Sequence, residues 1–183
     1  RIYTENTDNK LVVIMTQVFS MIKFFMKVYF RERNAMKALL VVDVQTNVMK
    51  RRNTEGLIEA CNDIISQYEP EQVIYVVHKL PWERASKKKE FGAGLSVVSD
   101  YVFDKREGDA FSNPKLLQRL QELNADEVEI IGLDGNFCIK ETALGALKNG
   151  LKATVNVRAV VSKNEKAFED TKHDLRDAGV NVI

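Results

Sequence analysis

The sequence has 183 residues, of which 45% are hydrophobic and 29% are charged, so it can bury a full core and its length favours one globular domain over two. Its 27 basic and 26 acidic residues nearly cancel, which argues against a nucleic-acid-binding surface. The two cysteines, Cys61 and Cys138, belong to no paired motif or dense disulfide framework. Free thiols persist in a reducing compartment, so the expected location is cytoplasmic.

Residues 1–35 are expected to form an N-terminal extension ahead of an α/β pattern that begins at Met36. Between residues 11 and 30, polar residues recur at helical spacing in an otherwise apolar run, which predicts an amphipathic helix. Two lysines near its end argue against a simple membrane span, and no small-residue cleavage site marks a secretory signal. Two interpretations stay open: a helix that contacts a membrane surface or a partner subunit, or an appended leader with the native start at Met36.

From Met36 onward, strand and helix signals alternate along the chain. The predicted elements are a strand at 38–43, a helix at 54–68, strands at 72–78 and 98–103, a helix at 113–123, a strand at 127–133, a helix at 138–149, a strand at 152–157, a helix at 163–178 and a strand at 180–183. Continuous Val and Ile runs separated by helices are typical of a mostly parallel sheet that is covered on both faces. The predicted class is therefore a doubly wound, three-layer α/β/α fold.

Three chemically active side chains follow predicted strands. Asp43 ends the first strand, Lys105 follows the third, and Cys138 follows the apolar run 128–133 at the start of a predicted helix. Ligands of open parallel sheets bind outside the carboxyl ends of the strands, so these side chains form one candidate site. A structural interpretation competes: Asp caps helices, Lys105 lies in a charged loop, and a lone cysteine is often an inert small hydrophobe.

Cys138 carries the strongest chemical prediction. The first N–H groups of a helix lack internal partners, and the helix dipole is positive there. Both a thiolate and a neighbouring oxyanion would be favoured at that position, which predicts a nucleophilic cysteine with a depressed pKa.

Three stretches extend this interpretation: KALLVVDVQTNVMK at 37–50, VFDKREGDAFSNPKLLQRL at 102–120 and IIGLDGNFCIKETALGALKNG at 130–150. Together they resemble the isochorismatase-like cysteine hydrolase family, which includes nicotinamidases and carbamoylsarcosine amidases. The resemblance covers residues 36–183 and implies a hydrolase domain with a six-stranded sheet in the order 3-2-1-4-5-6. It also implies a catalytic triad of Asp43, Lys105 and Cys138, and a homo-oligomer.

The function implied by the resemblance is hydrolysis of a small amide or carbamoyl substrate through a thioester on Cys138. Asp43 would act as the proton acceptor, Lys105 would orient it and keep it ionised, and backbone N–H groups around Phe137 and Cys138 would hold the oxyanion. A nucleophilic cysteine favours C–N hydrolysis over the vinyl-ether cleavage of true isochorismatases. Two alternatives remain: a catalytically silent binding or scaffold protein with the same fold, and a vinyl-ether hydrolase of the isochorismate type.

Further residues are candidates for contact with the small-molecule substrate. Gln45 shares a strand face with Asp43, so it either touches substrate or braces the carboxylate. Trp82 and Phe111 would be apolar pocket walls or core residues.

No metal site and no cofactor are predicted. The region where nicotinamidases carry metal-ligating residues reads His78-Lys79-Leu80-Pro81-Trp82, and the second histidine, His173, is far away in sequence. No glycine-rich nucleotide-binding motif follows a strand.

Overall fold

The structure, a computed structural model, describes residues 15–22, 36–50, 52–80, 82–84, 86–87 and 90–183. The chain divides into two units, Arg1–Ala35 and Met36–Ile183. In the first unit, residues 15–22 are helical, and their large apolar side chains are exposed. The remainder of the helix predicted at 11–30 lies outside the described residues, so its contact with a membrane or a partner stays a prediction. Across the described ranges, every helix is too short or too polar to cross a membrane.

One six-stranded sheet organises the described part of the second unit. Its strands are β1 (Met36–Val42), β2 (Val73–His78), β3 (Val102–Lys105), β4 (Ala125–Leu133), β5 (Lys152–Val161) and β6 (Asn181–Val182). Neighbouring strands are parallel and the order is β3-β2-β1-β4-β5-β6, which confirms the predicted topology. The strand order reverses between β1 and β4, so a crevice is expected at their carboxyl ends.

Helices cover both faces of this sheet. They are α1 (Thr46–Met49), α2 (Leu57–Ile65), α3 (Pro114–Glu122), α4 (Lys140–Lys148) and α5 (Glu165–Asp177). Buried residues of α2 pack on one face, while those of α3, α4 and α5 pack on the other. Asparagine side chains cap the amino ends of two of these helices. Asn113 accepts a hydrogen bond from Lys115 N–H, and Asn164 accepts one from Ala167 N–H. The three-layer prediction is confirmed.

Several predicted boundaries differ from the structure. The strand predicted at 98–103 begins only at Val102, because Val98 N–H donates to the Tyr75 hydroxyl and Ser99 Oγ donates to Val73 O. Side-chain bonds therefore replace strand pairing at Val98 and Ser99. The strand predicted at 152–157 continues to Val161, past a register shift between β4 and β5. The short helix α1 was not predicted.

At Gly132, β4 lies so close to the backbone of β1 that a side chain does not fit. Its φ is +120°, and a Cβ built on it would lie 2.0 Å from the carbonyl oxygen of Val42. That contact is with backbone on the neighbouring strand, so no side-chain rotation relieves it.

The substitution Gly132→Ala is expected to lower the free energy of unfolding by about 3–5 kcal/mol, because steric overlap adds to backbone strain. Gly150→Ala is the matched control: its φ is +77°, but nothing lies within 4 Å of the added Cβ. Strain alone predicts a loss of only about 1–2 kcal/mol there. Urea unfolding of both variants measures the difference, and equal losses would contradict the steric explanation.

Candidate active site

Asp43 directly follows β1, in a backbone conformation that turns the chain toward α1. Its φ is +57°, a left-handed value that aspartate tolerates better than most residues. The turn is fixed because Asp43 N–H donates to Val76 O and Gln45 N–H donates to Asp43 O, both at 2.8 Å. The carboxylate is thereby held at the carboxyl edge of the sheet, where the Asp43 side chain is 3% exposed.

Lys105 is the last residue of β3, two strands away from β1 in the sheet. Adjacent strands are about 4.8 Å apart, so a long side chain is needed to reach Asp43 from this position. The ammonium lies 2.9 Å from Asp43 Oδ2 and 3.1 Å from Cys138 Sγ, and it donates to Glu107 O at 3.1 Å. These three contacts match the three N–H donors of the ammonium.

Cys138 lies in a π-helical turn, Gly135–Ile139, that connects β4 to α4. The prediction that Cys138 opens the α-helix is therefore corrected, because the helical turn begins three residues earlier, at Gly135. Asp134 caps this turn: its carboxylate accepts from Asn136 N–H at 3.2 Å and from Ser162 Oγ at 3.0 Å. These two hydrogen bonds hold the start of the segment that carries the thiol.

The thiol of Cys138 is buried beside both charged groups, and its predicted depressed pKa is wrong. Burial, and then the negative charge of Asp43, raise the pKa of Cys138 from 9.0 to about 11, although the Lys105 ammonium opposes them. Burial is the largest cause, because Cys138 is only 8% exposed and a thiolate is disfavoured away from water. Burial by itself would lower the pKa of Lys105, but Asp43 and Cys138 raise it above its ordinary value.

This geometry keeps the thiol protonated at rest and places a base beside it. Asp43 Oδ2 is occupied by Lys105, whereas Oδ1 is buried and accepts no hydrogen bond from any residue that the structure describes. A buried carboxylate oxygen without a donor is suited to accept a proton. The cluster can therefore generate a thiolate when a substrate arrives.

Alkylation of Cys138 by iodoacetamide is expected to be slow at pH 7 and to accelerate toward a midpoint at pH about 11. Asp43→Asn is expected to accelerate it at pH 9, because removing the negative charge lowers the pKa of the thiol. Peptide mass spectrometry measures both rates, with Cys61 as an internal reference whose pKa is raised by burial to about 12. A midpoint at or below 9.0, the ordinary thiol value, would contradict the expected effect of burial and of Asp43.

Gln45 braces the backbone rather than the Asp43 carboxylate. Its side chain is fully buried; Oε1 accepts from His78 N–H at 2.7 Å and Nε2 donates to His78 O at 3.1 Å. Nε2 also donates to Asn47 Oδ1 at 2.8 Å. The amide therefore ties the end of β2 to the turn after Asp43, and substrate contact by Gln45 stays a prediction.

The three predicted aromatic residues occupy different environments. Trp82 is 78% exposed, on a segment that Arg106 holds by donating to Leu80 O and Glu83 O. Phe111 packs against the core cluster that includes α3 and α4. Phe137 has an exposed side chain, and its N–H donates to Asp134 O at 3.1 Å, so this amide already has an acceptor. The N–H of Cys138 is the better candidate oxyanion donor.

The residues around the site do not fit a zinc centre. Among the described residues, no group of three His, Cys, Asp or Glu side chains is placed to hold a metal ion. His173 is on α5, where it pairs with Asp177 in an exposed i,i+4 contact.

Two contacts at the site were missed by sequence reasoning. Arg52, which follows α1, pairs with Asp134 at 2.9 Å and so links the segment after Asp43 to the turn before Cys138. The position of Asp134 directly after a strand is a recognisable signal for helix capping. Its ion pair with Arg52 leaves no such signal in the sequence. The carbonyl of Glu107 that holds Lys105 is a backbone group, so residue type could not reveal it.

The sequence is similar to known proteins over most of its length. The Isochorismatase domain family matches residues 37–183. Isochorismatase family protein 2A of Dictyostelium discoideum is 25% identical over 158 residues, which cover 78% of this chain and 75% of that protein.

Solved structures with the same fold include amidases. A nicotinamidase from Staphylococcus aureus superposes with a TM-score of 0.63 at 25% identity, over 80% of this chain and 96% of that one. N-carbamoylsarcosine amidase from Thermoplasma acidophilum has a TM-score of 0.63 at 24% identity, over 80% and 94% of the two chains.

Proposed function

The chain belongs to the isochorismatase family, and from this premise we propose that it hydrolyses a C–N bond of a small amide or carbamoyl compound through a thioester on Cys138. The observation that supports the proposal most is the position of the Lys105 ammonium, 2.9 Å from Asp43 Oδ2 and 3.1 Å from Cys138 Sγ. One buried cation thus touches both the candidate base and the candidate nucleophile. Relatives that are named nicotinamidase and N-carbamoylsarcosine amidase make this class of substrate the natural one to test.

In the first half of the reaction, Asp43 accepts the proton of the Cys138 thiol as sulfur attacks the substrate carbonyl carbon. A C–S bond forms, and the carbonyl oxygen becomes an oxyanion that the backbone N–H of Cys138 can hold, a contribution of about 3 kcal/mol in other enzymes. Asp43 then gives its proton to the leaving nitrogen. The C–N bond breaks, and ammonia or an amine departs from a thioester.

In the second half, Asp43 removes a proton from water, and the resulting hydroxide attacks the thioester carbon. The C–S bond breaks and the thiolate takes back the proton, which restores the resting thiol. The raised pKa of Cys138 makes the protonated thiol the stable form of the resting site.

Lys105 has two electrostatic roles in this scheme. It compensates the buried charge of Asp43, and it stabilises the thiolate as that charge develops. Its third contact, with Glu107 O at 3.1 Å, fixes the ammonium in the position that serves both.

The proposal is tested by ammonia release from a panel that contains nicotinamide, pyrazinamide, N-carbamoylsarcosine and simple aliphatic amides. At least one compound is expected to be turned over, with a rate proportional to enzyme concentration. A folded wild-type chain that releases neither ammonia nor amine from any carboxamide or carbamoyl compound would contradict the proposal and favour the silent binding protein.

A further inference from the structure

A buried hydrogen bond joins the loop after β3 to the helix that follows the nucleophile. The N–H of Ala110 donates to Thr142 Oγ1 at 3.1 Å, and the two residues are 1% and 0% exposed. Thr142 is one turn beyond Cys138, on α4. Both residues are buried, so removal of the hydroxyl would leave this N–H without an acceptor.

The loop that is held in this way also holds Lys105. Glu107 O accepts from the Lys105 ammonium at 3.1 Å, and Glu107 precedes Ala110 by only three residues. A displacement of the loop at Ala110 would therefore move the acceptor that fixes the ammonium between Asp43 and Cys138.

A second contact on the same side of α4 seats the same loop. A Cβ built on Gly145 would lie 2.4 Å and 2.5 Å from the two carboxylate oxygens of Asp109. Gly145 is three residues beyond Thr142, so both lie on one face of the helix. Asp109 is in turn fixed, because its Oδ1 accepts from Phe111 N–H at 2.8 Å. The loop thus rests on α4 at two adjacent points.

We propose that Thr142 is a positioning residue that fixes the loop at 106–110 and, through Glu107, keeps the Lys105 ammonium between Asp43 and Cys138. For activity the inference rests on the proposed function, whereas alkylation of Cys138 tests it without any substrate. The charged groups that act on the thiol are Asp43 and Lys105, which oppose each other. If Lys105 is displaced, the negative charge of Asp43 acts on the thiol with less opposition. A smaller fraction of Cys138 is then thiolate at a given pH.

The experiment compares Thr142→Val, which keeps the shape and removes the hydroxyl, with Thr142→Ser, which keeps the hydroxyl. Thr142→Val is expected to slow alkylation of Cys138 at pH 9 at least about twofold. It is also expected to lower kcat about tenfold to a hundredfold with little change in KM. In Thr142→Ser, the rate of alkylation and kcat are both expected to stay near the wild-type values.

Thr154→Val is the matched control, because Thr154 is equally buried and donates to Glu127 Oε1 at 3.0 Å, near the amino end of β5. It should leave the alkylation rate unchanged. If Thr142→Val does not fold, Gly145→Ala replaces it, since a methyl group against Asp109 should displace the same loop and slow alkylation in the same direction.

Unchanged alkylation in the folded Thr142→Val variant, or equal slowing in Thr142→Ser, would overturn the inference, because the hydroxyl would then have no positioning role. An inactive wild-type chain would contradict the proposed function, and the alkylation rates would still decide the role of Thr142.

Discussion

Replacement of Cys138 by alanine is expected to reduce amide hydrolysis by at least about a thousandfold, because in the proposed mechanism the sulfur of Cys138 forms the covalent bond to the substrate carbon. The fold should persist, since Cys138 is one member of a large buried cluster and the change removes a single sulfur atom from it. Steady-state ammonia release measures the effect. Turnover within about tenfold of wild type would contradict a nucleophilic role for Cys138.

Cys61→Ala is the control for that variant. Cys61 is fully buried in α2, on the opposite face of the sheet. Its replacement should lower the free energy of unfolding by about 1–2 kcal/mol and leave the rate of hydrolysis unchanged. The two cysteine variants thus separate catalysis from packing.

Lys105→Met is expected to destabilise the chain more than any other single change at the site. The Asp43 and Lys105 side chains are 3% and 0% exposed, so removal of the ammonium leaves a carboxylate buried without its counterion. Loss of one partner of such a pair typically lowers the free energy of unfolding by about 3–5 kcal/mol. Urea unfolding at neutral pH measures the loss.

The double variant Asp43→Asn/Lys105→Met identifies the cause. If the loss comes from the unpaired carboxylate, neutralising Asp43 should recover most of the stability while hydrolysis remains absent. A Lys105→Met variant that loses less than about 1 kcal/mol would instead behave like an exposed ion pair. Such a result would contradict the burial on which the site's electrostatics depend.

The order of helices and strands could be predicted from the sequence because apolar runs and helical periodicity are local signals. The runs ending at Val42, His78 and Leu133 each become a strand of the sheet. The boundary of β3 could not be predicted, because Ser99 and Tyr75 compete for strand hydrogen bonds through their side chains. Such contacts depend on a neighbouring strand and leave no local pattern.

The convergence of Asp43, Lys105 and Cys138 could also be anticipated, because parallel strands bring their carboxyl ends to one edge. The protonation state of the Cys138 thiol could not be anticipated from the sequence. A helix terminus alone predicts a depressed thiol pKa, whereas the folded chain buries the thiol and sets a carboxylate beside it. Burial is a property of the whole fold, so no local sequence pattern reveals it.

The surroundings of the site were predictable only in part. Gln45 was expected to share a strand face with Asp43, but β1 ends at Val42 and the side chain of Gln45 bonds to the backbone of His78. The bond between Thr142 and Ala110 joins residues 32 positions apart, so no local spacing indicates it.

Covalent catalysis by Cys138 with Asp43 and Lys105 can be observed by trapping the intermediate. Wild-type protein would be mixed with a compound that it hydrolyses, quenched in acid within milliseconds, digested and examined by mass spectrometry. We expect an added mass on the peptide that contains Cys138, equal to the acyl part of the substrate, and none on Cys61. Continued hydrolysis with Cys138 unmodified at every quench time, and undiminished in Cys138→Ala, would show that the reaction does not pass through a thioester on Cys138.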